Sequence, residues 1–231
     1  MNNNMSNNMN NNKKKKTMHK WVIAVCSMMI AFSAILPAAQ AASPSILSYG
    51  TTSLDVPDLQ FRLKVLGYFK NPTVTTYYGS MTQDAVERFQ ADFGLKADGV
   101  AGSKTWSLLK QVSVNKNELD LLARIIYAEA RGESYKGQVA VGAVVMNRVQ
   151  SSSFPNTIRE VILQSGAFTA VDDGQFSLKP DSSAYRAATD AVRGVDPTGN
   201  ALYYFNPNTA TSSWIWSRKQ TVRIGNHIFA V

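Results

Sequence analysis

Glu129 falls where a core residue should stand. On a helical wheel, the stretch from Glu118 to Ala130 carries Leu119, Leu121, Leu122, Ala123, Ile125, Ile126 and Ala130 along one broad apolar arc, with Asp120, Arg124 and Tyr127 opposite. Glu129 lies inside that arc, three residues after Ile126. A carboxyl group aimed at an interior must be paired, hydrogen-bonded or protonated, because an unpaired buried charge is costly. Desolvation favours the protonated form, which is what a general acid needs near neutral pH. The other reading is a structural carboxylate neutralised by Arg131 or Arg148. Periodicity alone does not choose between them.

The remaining reactive side chains are few. Residues 1–41 read as a leader: an Asn-rich tract to Asn12, then Lys13 to Lys16 and Lys20, an apolar run from Trp21 to Leu36, and Ala39-Gln40-Ala41. Basic start, short apolar run and small-residue site together predict a signal peptide cleaved after Ala41. The run is shorter than the roughly 20 residues a spanning helix needs, so no stable membrane span is expected after cleavage. The single cysteine, Cys26, and one of two histidines, His19, leave with it. One histidine, His227, falls short of the set a zinc hydrolase uses, and no G-x-S-x-G elbow accompanies it. No metal or cofactor is expected, and His227, in a hairpin, reads as structural. Of the 24 basic residues five lie in the leader, leaving 19 against 16 acidic ones, a net of +3 instead of +8. That small excess gives no support to nucleic-acid binding. Carboxylates remain, the usual equipment for glycosidic bonds.

Around Glu129 the candidates can be ordered by type. Glu133 lies one turn further on, but Gly132 intervenes and should end the helix. Glu133 is therefore expected at the surface or supporting the acid, as are Arg131 and Asp173, rather than acting as a partner acid. Asp172 and Asp173 precede Gly174 and read most simply as an Asx turn. Gln175 and Asn206 carry loop amides suited to N-acetyl and hydroxyl groups, with Phe176 beside the first. Tyr203, Tyr204, Phe205, Trp214 and Trp216 are dense near the C-terminus, and aromatic faces stack on pyranose rings. In an extended segment Trp214 and Trp216 face one side together, so one or both are expected to line a cleft, with Tyr203 as a further substrate-binding candidate.

Two domains should position these residues. Residues 53–110 predict three small helices. Leu59, Leu63 and Leu66 precede a Gly67 C-cap; Ser80 and Gln83 form a capping box before Ala85, Val86, Phe89 and Phe93; Ser103 caps the last, with Trp106, Leu108 and Leu109. Gly79-Ser80-Met81-Thr82 and Gly102-Ser103-Lys104-Thr105 echo one another. A polar linker spans residues 111–117. Residues 118–231 begin with helices, including Glu133 to Val149, one capped by Thr157 and Glu160, and Asp181 to Arg193. They end in extended segments from Leu202 to Phe205 and Thr221 to Ile224, the latter turning through Gly225-Asn226 into His227 to Val231. Helices first and a small sheet last predict α+β.

The first segment resembles the peptidoglycan-binding module of three small helices. The resemblance rests on Leu59-Gln60, Leu66-Gly67-Tyr68, Phe89-Gln90, Asp98-Gly99 and Thr105-Trp106, among others. The second resembles the spore cortex-lytic cell-wall hydrolases. That rests on Tyr127-Ala128-Glu129-Ala130-Arg131-Gly132-Glu133, Asn147-Arg148-Val149, Ala167-Phe168-Thr169-Ala170-Val171, Asp196-Pro197-Thr198-Gly199-Asn200, Tyr203-Tyr204-Phe205-Asn206-Pro207, Trp214-Ile215-Trp216 and Ile224-Gly225-Asn226-His227. It implies a lysozyme-like catalytic domain related to resuscitation-promoting factors, lytic transglycosylase activity on peptidoglycan glycan strands, and Glu129 as the catalytic glutamate. It also implies cortex lysis in germination and action in the cell wall or cortex; a regulatory protein partner is a separate expectation. The short linker leaves room for a paralogue acting on vegetative wall. A hydrolytic muramidase using Asp172 or Asp173 with water, and a non-catalytic wall-binding protein, stay open as alternatives.

Overall fold

The computed structural model describes residues 45–231, so the expected leader and its cleavage site lie outside the described residues. The chain divides into two compact units between Ser113 and Val114.

The first unit contains α1 (Val56–Leu66), α2 (Ser80–Asp92) and α3 (Ser103–Val112). Leu59, Leu63, Tyr78, Phe89, Trp106 and Leu109 fill its core. Gly67 ends α1 in the left-handed region at φ 90°, as its C-cap position requires. Two buried glutamines repeat one device. The Gln60 amide donates to the Thr82 hydroxyl at 2.8 Å, and the Gln90 amide to the Thr105 hydroxyl at 3.1 Å. Each glutamine therefore ties its helix to the start of the next, which is the physical content of the sequence echo. The capping expectation is corrected: Ser80 and Ser103 are the first helical residues, and Gly79 and Gly102 stand at the caps without side-chain hydrogen bonds. A serine one position inside the helix no longer occupies the site from which a cap reaches the free N–H groups.

The second unit opens with α4 (Lys116–Ala130), whose Asn115 and Glu118 form a reciprocal capping box. Helix thus extends into both ends of the stretch read as a linker. There follow α5 (Tyr135–Gln150), α6 (Ile158–Leu163), α7 (Thr169–Asp172), a 3-10 turn at Gln175–Ser177 and α8 (Ser182–Val192). Helices α4, α5 and α8 pack against each other. At Gly142 they approach so closely that a Cβ would stand 2.8 Å from Ile126 Cδ1 and 3.0 Å from Ala191 Cβ.

A three-stranded antiparallel sheet completes the unit, with β1 (Tyr203–Phe205), β2 (Gln220–Ile224) and β3 (His227–Ala230) in the order β1-β3-β2. Tyr204 pairs with Phe229, and Ile224 with His227 across the Gly225-Asn226 turn. Ala140 and Val144 of α5 meet Ala201, Ile224 and Phe229 to form the core beneath the sheet. The class is α+β. Between β1 and β2, Ser213–Trp216 forms one helical turn, α9. This corrects the extended reading of Trp214 and Trp216.

Candidate active site

Glu129 sits in the last turn of α4, half-buried, with both carboxylate oxygens engaged. Oε1 accepts the Ala170 backbone N–H at 2.8 Å from α7, and Oε2 accepts the Tyr204 hydroxyl at 2.9 Å from β1. Neither arginine weighed as a neutralising partner hydrogen-bonds to it, although the charge of buried Arg148 interacts with the Glu129 carboxylate. The Arg131 guanidinium donates to the Ala128 carbonyl at 3.2 Å. Arg148 is buried, donates to the Leu202 carbonyl at 2.7 Å and lies over the rings of Phe154, Phe168 and Tyr203. Two neutral donors therefore hold Glu129.

Strand alternation decides which aromatics reach the acid. Tyr204 faces Glu129, Phe168, His227 and Phe229, whereas Tyr203 and Phe205 take the other side of β1. There Trp214 meets Tyr203 edge-on at 5.1 Å and Trp216 meets Phe205 at 4.8 Å. The indoles stay 50% and 42% exposed, with the Arg218 guanidinium 4.5 Å from the Trp214 ring. Burial raises the Tyr204 hydroxyl well above the ordinary phenol value, and Glu129 adds to the shift, so this group stays protonated.

A cavity of about 390 Å³ opens beside Glu129, lined also by Arg131, Glu133, Asn206, Asn226 and His227. The structure thus brings together Glu129, Arg131, Glu133 and Asn206 from the sequence candidates. Gln175, Phe176, Asp173, Tyr203, Trp214 and Trp216 do not line it. Asp173 accepts both the backbone and side-chain N–H groups of Gln175, at 3.0 and 2.6 Å, forming the anticipated local turn. Those bonds hold the exposed Asp173 carboxyl below its usual range. Phe176 lies on the same 3-10 turn.

Glu133 is not a surface residue. Its side chain is only 9% exposed, and it accepts the Asn226 backbone N–H at 3.3 Å and the Asn226 amide at 2.9 Å. Gly132 does lie beyond the end of α4, but the hairpin tip folds back over the side chain that follows it. Burial lowers the His227 pKa below its usual value, with Glu133 and then Glu129 opposing. Tyr204, the Ala170 N–H and Asn226 went unrecognised as site groups. Alternation in Tyr203-Tyr204-Phe205 signalled that one ring points inward without saying which.

Residues 132–230 match the family model described as Cell Wall Hydrolase, and residues 52–109 that of the Putative peptidoglycan binding domain. The first match begins three residues beyond Glu129. A spore cortex-lytic enzyme of Bacillus cereus is 43% identical over 228 residues, covering 82% of this chain and 88% of that protein. The crystal structure of the catalytic domain of Bacillus cereus SleB aligns at 57% identity with a TM-score of 0.50, covering 52% of this chain and 93% of that one. A catalytic domain from Bacillus anthracis, described as that of the germination-specific lytic transglycosylase SleB, aligns at 57% identity with a TM-score of 0.49, over 51% and 97%. The lysozyme-like fold implied by the sequence is consistent with the Bacillus cereus match. The chain belongs to the spore cortex-lytic enzyme family of cell wall hydrolases.

Proposed function

We propose that the protein is exported and cleaves the β-1,4 bond between N-acetylmuramic acid and N-acetylglucosamine by lytic transglycosylation, with Glu129 as acid and then base. Spore cortex during germination is the proposed substrate, with the first unit holding the wall. The observation that carries this reading is the Glu129 carboxyl group, open to a cavity and hydrogen-bonded by two neutral donors.

The two oxygens differ in what their partners permit. The Ala170 N–H can only donate, which commits a lone pair of Oε1. The Tyr204 hydroxyl can donate or accept, so the reactive proton is assigned to Oε2, where the tyrosine oxygen can turn to accept it. That proton passes to the leaving oxygen as the C1–O bond breaks. The ionised carboxylate then takes the proton of the muramic C6 hydroxyl, whose oxygen closes on C1. The product is a 1,6-anhydro sugar and no water is consumed. One carboxylate suffices because the nucleophile is internal to the substrate.

Glu129→Gln keeps the shape and both hydrogen-bonding partners but has no proton to deliver. Cleavage of purified sacculi should fall by about 10² to 10⁴-fold, the usual worth of general acid catalysis, with the melting curve and wall binding close to the parent's. A folded Glu129→Gln protein that releases anhydro-muropeptides at the parental rate would end the assignment. Mass spectrometry of the parent's products tests the reaction type, since hydrolysis leaves each new muramic end heavier by one water than the anhydro product.

A further inference from the structure

Glu133 occupies a slot that two glycines make possible. A Cβ on Gly225, at the tip of the β2–β3 hairpin, would stand 1.9 Å from Glu133 Oε2, and one on Gly137, in the first turn of α5, 2.8 Å from Glu133 Cβ. Gly225 also adopts φ +57°, where a side chain is disfavoured. Inside the slot the carboxylate accepts both N–H groups that Asn226 offers. The next residue, His227, sets its ring 5.1 Å from that of Tyr204, the residue that gives its hydroxyl to Glu129. His227 Nδ1 is buried without a hydrogen-bond partner and stands 3.9 Å from Glu133 Oε1, beyond bonding distance. No hydrogen bond at Nδ1 orients the ring, which the hairpin and its packing place.

We propose that Glu133 is a positioning residue, a clamp that fixes the hairpin tip against the start of α5. Through His227 and Tyr204 it sets the position of Glu129 Oε2. The inference rests on the reading of Glu129 as the acid. It gives a second carboxylate in the cavity wall a task other than acid or base. Catalysis is sensitive to such placement, since a shift of about 1 Å in a reacting group costs up to about 10²-fold.

The test exchanges the clamp's partners in the full chain and follows kcat and KM on solubilised glycan strands, with melting curves as the folding control. Glu133→Ala should lower kcat at least about tenfold while KM moves less than about threefold, because the loss falls on the reacting geometry. Glu133→Gln should be milder, since its carbonyl still accepts the Asn226 N–H and the Asn226 amide can turn its oxygen to the new NH₂. Asn226→Asp sets two carboxylates against each other and should be slow. Combining Glu133→Gln with Asn226→Asp restores a donor–acceptor pair in reverse and should recover kcat to within a few-fold of Glu133→Gln alone. Should the alanine variant not fold, the glutamine, aspartate and double variants carry the test. Parental kcat in Glu133→Ala overturns the clamp. So does a double variant as slow as Asn226→Asp, which would make the charge of Glu133 the feature that matters. Glu129→Gln measured alongside separates the two claims: an active Glu129→Gln removes the acid assignment, whereas an inactive one with parental Glu133 variants removes only the clamp.

Discussion

Tyr204 joins the acid to the sheet, giving Glu129 its hydroxyl and stacking its ring among Phe168, His227 and Phe229. Tyr204→Phe keeps the packing and removes one hydrogen bond to the carboxylate. Bonds to charged groups are worth about 1.5–3 kcal/mol, so kcat should fall about ten- to a hundredfold and the melting temperature by a few degrees, with the protein still folded at permissive temperature. Steady-state rates beside a melting curve check this, and an unchanged kcat would leave the Ala170 N–H as the only bond that matters. His227 yields a second expectation at this scale. Burial holds its folded pKa below the ordinary 6.5, so the unfolded chain takes up the proton first. Its contribution to stability is complete above pH 6.5 and is lost as pH falls through the folded value. Melting temperatures measured between about pH 7.5 and about pH 5.5 should fall more steeply for the parent than for His227→Gln. Parallel curves would show that His227 titrates alike in both states. Glu129 stood out in the sequence because one helix carries both the carboxylate and the apolar arc that makes it anomalous. Its partners were hidden: Ala170 and Tyr204 lie 41 and 75 residues away along the chain.

Elements were legible where a period or a turn signal was long enough to read. Helix α4, the Thr157 cap of α6, helix α8 and the Gly225-Asn226 hairpin all appear close to where pattern and turn chemistry place them. The single turn α9 carries too few residues for a 3.6 period to declare itself, so two tryptophans spaced by two looked like a strand. The helix starts at Ser80 and Ser103 slipped by one because serine is common both at the cap and just inside it. What no local pattern could show is the contact at Gly142, where three helices meet. Gly142→Ala adds helix propensity worth up to about 1 kcal/mol. It also drives a Cβ to 3.0 Å from that of Ala191, which has no flexible end to yield, and such overpacking costs about 1–3 kcal/mol. We expect a lower melting temperature, by a few degrees, with cleavage at permissive temperature retained. A higher melting temperature would mean that α8 shifts freely.

At the scale of the molecule, each unit carries its own core and its own capping, which favours a division of labour between wall binding and cleavage. Where the chain is cut decides whether that division can be observed. Residues 53–110 look sufficient from sequence, yet Leu47 is only 1% exposed, bridges to Ala101 and packs in the same core. The Trp106 indole also donates to the Ser45 carbonyl at 3.2 Å, and buried Arg62 donates to the Ser113 carbonyl at 3.3 Å. Cutting at residue 53 removes Leu47, and loss of a buried leucine alone costs about 2–5 kcal/mol, a large share of what so small a domain has. The catalytic unit has a matching requirement, because a start at Glu118 discards Asn115 and with it the capping box of the helix that carries Glu129. Fragments 45–113 and 114–231 should therefore fold cooperatively. The first should sediment with insoluble peptidoglycan, and the second should cleave it with weaker retention on the wall. Fragments 53–110 and 118–231 should melt at lower temperature than their longer counterparts. If 45–113 folds and remains in the supernatant, the first unit is a spacer and wall recognition belongs to the catalytic unit alone.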